Sequence, residues 1–175
     1  MQFGVAIPNN FGVESARDLA DLAAFAEDLG YESVWVSDHL MHATYVANRL
    51  GDKPYHEAMT VLTACAMTTE RVALGTSVLV LPWHQPARLA KAVATLDSLS
   101  QGRVILGVGV GVTEDEYESL GVPFHERGRI ADDMLDAMKA LWTQDIPSHH
   151  GDYYRFEGLR FEPKPVTRPH PPIWV

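Results

Sequence analysis

Cysteine is almost absent from this chain: Cys65 stands alone among 175 residues. One thiol excludes an internal disulfide, and its place inside an apolar helical pattern reads as core packing rather than reactivity. Long apolar runs are missing as well, and no stretch approaches the roughly 20 residues of a spanning helix. Basic residues are few. The 14 Lys and Arg stand against 23 Asp and Glu, a formal charge of −9. Nucleic-acid backbones and anionic membranes both need clustered Lys and Arg, so neither is expected as a partner. The opening residues, MQFGVAIP, carry no basic segment leading into a long apolar run. No secretory leader is therefore expected, and a reducing cytoplasm is the expected location. There is no Gly-x-Ser-x-Gly elbow and no P-loop, which leaves hydrolase and nucleotide-triphosphatase chemistry unsupported. His42, His56, His84, His125, His149, His150 and His170 are scattered over segments that read as loops. None has the i, i+4 spacing and acidic company of a zinc site, so no metal centre is expected.

What is present is organised around Leu89 to Gly111, LAKAVATLDSLSQGRVILGVGVG. Leu89, Val93, Leu96 and Leu99 fall on one helical stripe, with Pro86 suited to the first turn and Gly102 to the stop. After Arg103 the chain becomes VILGVGVG, a run without a polar face. That pattern marks a strand buried on both sides in a parallel sheet. Upstream, QFGVAI (2–7), ESVWVS (32–37) and VALGTSVLVL (72–81) read as three further strands, and PIWV (172–175) as the start of a fifth. Helices are predicted between them. Ser15 and Asp18 resemble a capping box, followed by an apolar face of Leu19, Leu22, Ala23, Ala26 and Leu29. Met59, Leu62 and Thr63 mark a second helix, and Ile130, Met134, Met138 and Leu141 a fourth. An open loop is expected from about His42 to His56, and an acidic loop or short helix at 113–128. A surface hairpin is expected with Tyr153–Phe156 and Leu159–Phe161 around Glu157-Gly158.

Strands alternating with helices imply a parallel sheet with right-handed crossovers. An open doubly wound sheet and a (β/α) barrel both fit, and both place their sites at the C-terminal strand ends. A full barrel takes roughly 250 residues and eight strands. About five strands are legible here, on a chain long enough for a single domain over 1–175.

Several polar groups fall at those strand ends. Asp38-His39 directly follows the second strand and offers a proton carrier beside a charge that can bias it. Gly75-Thr76-Ser77-Val78 interrupts the third strand as a bulge or a close approach of ligand would. Gly107, Gly109 and Gly111 end the fourth. An acidic segment follows these glycines, so they read as a platform for a flat ring rather than a phosphate cradle. Tight interior packing is the structural alternative. Asp97 and Arg103 flank the opposite end of the sheet and read as a structural pair.

SVWVSDHL, TTERVALGTSVLVLP, PARLAKAVATLDSLSQGRVILGVGVG and HPPIWV together resemble the bacterial luciferase-like monooxygenase family. Within it they are most similar to the branch that uses the deazaflavin coenzyme F420. The resemblance implies the N-terminal part of a (β/α)8 TIM barrel, here an incomplete barrel of about five parallel strands. It implies a flavin or deazaflavin ring at the C-terminal mouth, contacted by Asp38, His39, Ser77, Val78, Gly107 and Gly109. His39 is the implied proton relay or ring-orienting group, and Ser77–Val78 the implied non-proline cis peptide behind the ring. The implied reaction is hydride transfer with a small organic substrate, without a metal. The alternatives are an FMN-dependent monooxygenase and a non-catalytic half-barrel acting through assembly. Sugar-phosphate dehydrogenases of the F420 branch carry a glutamate where this chain has Val112 and a tryptophan where it has Ala43, so their substrate does not carry over. The family continues past PPIWV into further strands, so a homo-oligomer or a barrel-completing chain is the expected partner.

Overall fold

The computed structural model describes residues 1–175. Five parallel positions form the sheet. β1 (Gly4–Ala6) pairs with β2 (Ser33–Val36), β2 with β3 (Ala73–Thr76), and β3 with β5 (Val104–Gly109). β5 also carries β4 (Leu79–Val80) and β8 (Ile173–Trp174), both parallel to it. The crossovers are α1 (Ala16–Asp28), α3 (Ala58–Thr68), α4 (Pro86–Leu99) and α6 (Arg127–Thr143). Two shorter helices, α2 (Thr44–Leu50) and α5 (Glu114–Leu120), lie after β2 and β5. A small antiparallel ribbon joins β6 (His149–His150) to β7 (Arg155–Phe156). The order is the alternating one, and the fold is a parallel sheet with flanking helices, the start of a (β/α) barrel.

The strand period of two sorts the side chains. Val34, Val36, Leu74, Leu106 and Val108 face the helices and join Leu19, Leu62, Cys65, Val93, Met138 and Trp142 in one buried core. The alternate residues face the barrel lumen. Trp35 lies across Gly75 there, where an added Cβ would sit 2.2 Å from its ring. Trp174 stacks on Trp35 with ring centroids 5.3 Å apart. The helix starts follow their caps: Ser15 Oγ accepts from Asp18 N, and Gln85 precedes Pro86 and accepts from Arg88 N. No helix is long and apolar enough to cross a membrane.

Five local expectations are corrected. The third strand is not continuous over 72–81. It breaks at the cis Ser77–Val78 peptide into β3 and β4, and a 3-10 turn at Leu81–Trp83 takes up Pro82. The 42–56 loop contains α2, anchored by buried Val46 and Leu50. The hairpin pairs His149–His150 with Arg155–Phe156 rather than closing around Glu157-Gly158, because Asp133 of α6 accepts the Tyr153 and Tyr154 amides within its turn. Leu22 and Leu29 are 41% and 62% exposed, on a flank of α1 that nothing covers. Asp97 and Arg103 do not pair. Asp97 holds the Thr167 amide and hydroxyl, while Arg103 donates to Ser100 O, Val72 O, Thr69 O and Ala66 O. Both remain structural ties at the N-terminal end of the sheet.

Candidate active site

A cleft of about 240 Å³ opens at the C-terminal ends of the strands. The loop after β2 supplies its floor. Asn9, fully buried, donates to Ser37 O and His56 O at 2.8 Å each and accepts from Ser37 N, which ties the end of β2 to the loop after β1 and to the segment between α2 and α3. Beyond Ser37 come Asp38 and His39. Adjacent in sequence, they diverge in space, as neighbouring residues at a strand end do.

Asp38 turns inward. Its Oδ2 accepts from Val80 N at 3.1 Å and lies 2.8 Å from His84 Nε2. Its Oδ1 is buried without a partner. His39 turns the other way, and its Nδ1 lies 2.6 Å from Oε2 of Glu116, a carboxylate with no exposed side-chain surface. The other Glu116 oxygen accepts from the amides of Leu40 and Met41. An ionised carboxylate only accepts, so the neutral His39 ring carries its proton on Nδ1 and leaves the Nε2 lone pair free. Tyr55 and Trp83 flank the imidazole, with centroids 5.4 and 5.5 Å away.

The sequence did not pair these groups. It set Asp38 against His39, whereas the structure gives each its own partner. His84 follows the 3-10 turn after β4, and Glu116 is on α5. His84 lies in a segment without a predicted element, and Glu116 in the one read as an acidic loop or short helix. Val112 lines the same cleft, two residues before α5 begins.

Ser77 and Val78 form the wall between this cleft and a lumen-side cavity of about 500 Å³ that also reaches Trp35, Gly107 and Trp174. Ser37 Oγ donates to Ser77 O, which fixes the wall to β2. The glycines of β5 make room for that wall. A Cβ on Gly107 would lie 2.0 Å from Thr76 O, and one on Gly109 would lie 2.8 Å from Val78 Cγ2. Gly107 therefore borders the lumen, and Gly109 sits behind Val78. The structural reading of these glycines, tight interior packing, holds in the protein itself. Any platform for a ring is the Ser77–Val78 segment they support.

Three buried polar atoms on residues lining the cleft lack partners: Asp38 Oδ1, Tyr55 Oη and Trp83 Nε1. Burial, reinforced by the Asp38 charge, pushes the Tyr55 hydroxyl up to about 12 over the opposing pull of the Arg49 charge and the Ser37 and Asn10 side chains, so it is a neutral donor at physiological pH. Buried polar groups are rarely left unpaired. The His39 imidazole, the Ser37 and Ser77 hydroxyls and the Asn10 amide line the open cleft beside the Ser77–Val78 wall, a set that suits a polar heterocycle with both N–H and C=O edges, so the residues present fit a flavin or deazaflavin ring.

The family described as luciferase-like monooxygenase matches residues 1–175. The chain is 36% identical over 156 residues to an FMNH2-dependent dimethylsulfone monooxygenase of Pseudomonas putida, covering 87% of this chain and 41% of that protein. It is 38% identical over 163 residues to an F420-dependent glucose-6-phosphate dehydrogenase of Amycolatopsis mediterranei, covering 91% and 46%. The crystal structure of a monooxygenase from Streptomyces bottropensis superposes with a TM-score of 0.85 at 29% identity, over 99% of this chain and 52% of that one. The chain thus spans about half the length of these relatives. The first of these is named for FMNH2, the second for F420 and the third as a monooxygenase, and the family match runs the whole length of the sequence: the chain belongs to the luciferase-like monooxygenase family.

Proposed function

We propose that this chain supplies the acid–base half of the mouth of an F420-dependent oxidoreductase, which exchanges a hydride with a small organic substrate. The observation that carries the reading is the His39–Glu116 pair at the strand ends, beside a cleft with orphaned polar atoms. The bound deazaflavin would supply the carbon that accepts or returns the hydride. Ser77 and Val78 would back the ring, with Gly107 and Gly109 holding that wall in place. Asp38, held by Val80 N and His84 Nε2, would shape the floor beneath the ring. His39 would take the proton that leaves the substrate hydroxyl at Nε2, and Glu116 would stabilise the imidazolium that forms. No metal enters this scheme. Further barrel units, from a homo-oligomer or a barrel-completing chain, would close the lumen between β1 and β8.

A second reading, an FMN-dependent monooxygenase, is favoured by the relationship to the dimethylsulfone enzyme. It shares the ring site and differs in the cofactor. The test is titration of the protein in its native assembly with F420 and with FMN, followed by absorbance and by Trp83 fluorescence. Micromolar F420 binding that His39→Ala weakens supports the first reading. FMN binding without F420 binding selects the second. Binding of neither overturns both and leaves a half-barrel that acts through assembly.

A further inference from the structure

The cleft has one Lys or Arg among its lining residues, Arg49, and the proposed hydride chemistry gives it no task. Arg49 sits one turn after Tyr45 on α2, so both project from the same face of that helix. Buried Val46 and Leu50 seat α2 on the core, and Thr44 N donates to Asp115 Oδ2 at 2.7 Å, which ties its start to α5. The helix is therefore fixed at both ends. Its guanidinium is held in turn. Nη2 donates to Asn10 O at 2.6 Å, and the rings of Phe11 and Tyr45 lie 5.3 and 5.7 Å away.

No carboxylate lies within 4 Å of Arg49, in a chain with 23 acidic residues. Nε and Nη1 make no bond to protein, so the fork of donors that suits a planar anion is open. Tyr45 bridges the distance to the chemistry, its ring 6.3 Å from that of His39. The adjoining groove past His39 is bordered by Glu114 and Asp115, which repel negative charge, so the cleft accepts an anion at one end only.

We propose that Arg49 determines substrate specificity by taking an anionic oxygen group, a carboxylate or phosphate ester, of a small molecule whose reacting carbon lies at His39. This rests on the oxidoreductase reading for the position of the reacting carbon. The same guanidinium chemistry would also suit the phosphate of a cofactor, and the test separates the two sources.

The experiment is calorimetric titration of the cofactor-free native assembly with benzoate, inorganic phosphate and the neutral isostere benzamide, on wild type, Arg49→Met and Arg49→Lys. F420, FMN and riboflavin are titrated in parallel. Benzoate is expected to bind wild type about tenfold more tightly than benzamide, with that margin lost in Arg49→Met and partly kept in Arg49→Lys. Equal affinity for benzoate and benzamide in wild type, or a margin unchanged in Arg49→Met, overturns the proposal. A loss of FMN and F420 affinity in Arg49→Met with riboflavin unaffected also overturns it, since the anion held is then the cofactor's. Failure of all cofactors to bind wild type, with the benzoate margin intact, sinks the oxidoreductase reading and leaves Arg49 as an anion site.

Discussion

Replacing Glu116 with Gln changes one atom and reverses the hydrogen-bonding sense of the site. The carboxylate accepts three donors: His39 Nδ1 at 2.6 Å and the amides of Leu40 and Met41 at 3.1 and 3.3 Å. A Gln amide must aim its oxygen at the two backbone N–H groups, because its NH2 would oppose two donors. The NH2 then faces His39 Nδ1, which can meet it only with a lone pair. The imidazole proton moves to Nε2, and the free base at the mouth becomes a donor. Hydrogen bonds to a charged group contribute ~1.5–3 kcal/mol and neutral ones ~0.5–1.5. Three such exchanges at a fully buried position predict a loss of about 3–4.5 kcal/mol, below the ~5–15 kcal/mol that holds a domain together, so the variant is expected to fold.

Two assays read the two consequences. Urea denaturation gives the stability difference. Nitrogen NMR of ring-labelled histidine distinguishes the tautomers, since a bare ring nitrogen resonates far from an N–H. Wild-type His39 should show a bare Nε2 and the variant a bare Nδ1. Turnover in whichever cofactor the enzyme uses should fall by roughly 10²–10⁴, the span of general acid–base catalysis. A wild-type ring already protonated at Nε2, or an identical spectrum in the variant, would refute the reasoning, and so would a stability change under about 0.5 kcal/mol.

Gly107→Ala should cost about 1–3 kcal/mol in urea denaturation, because its Cβ would meet the Thr76 carbonyl at 2.0 Å and backbone cannot step aside cheaply. Burial would push the Glu27 carboxyl up, but three backbone amides at Glu70, Arg71 and Val72 and the Arg71 charge outweigh it and hold it below its usual 4.5. A depressed folded value means that this contribution is complete above about pH 4.5 and is lost as pH falls through the folded value; the Tm gap between wild type and Glu27→Gln should narrow from pH 6 to pH 3. Asp133→Ala removes the acceptor of the Tyr153 and Tyr154 amides and of His149, so hydrogen exchange at those two amides should accelerate on the order of tenfold while the sheet stays protected.

What the sequence disclosed follows the range of its signals. Periodicity and caps are local, so α4 begins at Pro86 and ends before Gly102 as expected, and the β5 run lies buried as its composition required. Asp38, His39, Ser77 and Val78 were legible because residues at strand ends in a parallel sheet share one rim. Their partners were not. Glu116 lies 77 residues from His39, inside TEDEYESL, where four acids look like a solvated face. The signal that singles it out is the helix itself: on α5, Glu116 and Tyr117 are the two buried residues, and a buried acid requires a partner. His84 was hidden for the opposite reason. It follows Trp83 with no pattern to place it until the break at Ser77–Val78 turns the chain toward Asp38. The hairpin register failed because aromatic content pointed to Leu159–Phe161, whereas a side chain on a distant helix, Asp133, decides where the turn falls.

The two histidine–carboxylate pairs divide the work by burial and direction. Asp38 and His84 have side-chain exposures of 0% and 17%, and Glu116 and His39 have 0% and 19%, so each pair buries its acid and leaves its imidazole at the rim. The order of atoms differs. His39 is held through Nδ1, which frees Nε2, while His84 is held through Nε2, which frees Nδ1. Nε2 is the nitrogen farther from the backbone, so the His39 ring reaches outward with its free lone pair and the His84 ring is committed inward. Only the first arrangement presents a base to a molecule in the cleft. The second locks Asp38 with one oxygen engaged and one free, which makes Asp38 an oriented acceptor rather than a mobile acid. On the proposed reading, adjacent residues on one strand end would serve as base and anchor, because the strand period sends them to opposite sides and different loops bring each its counterpart.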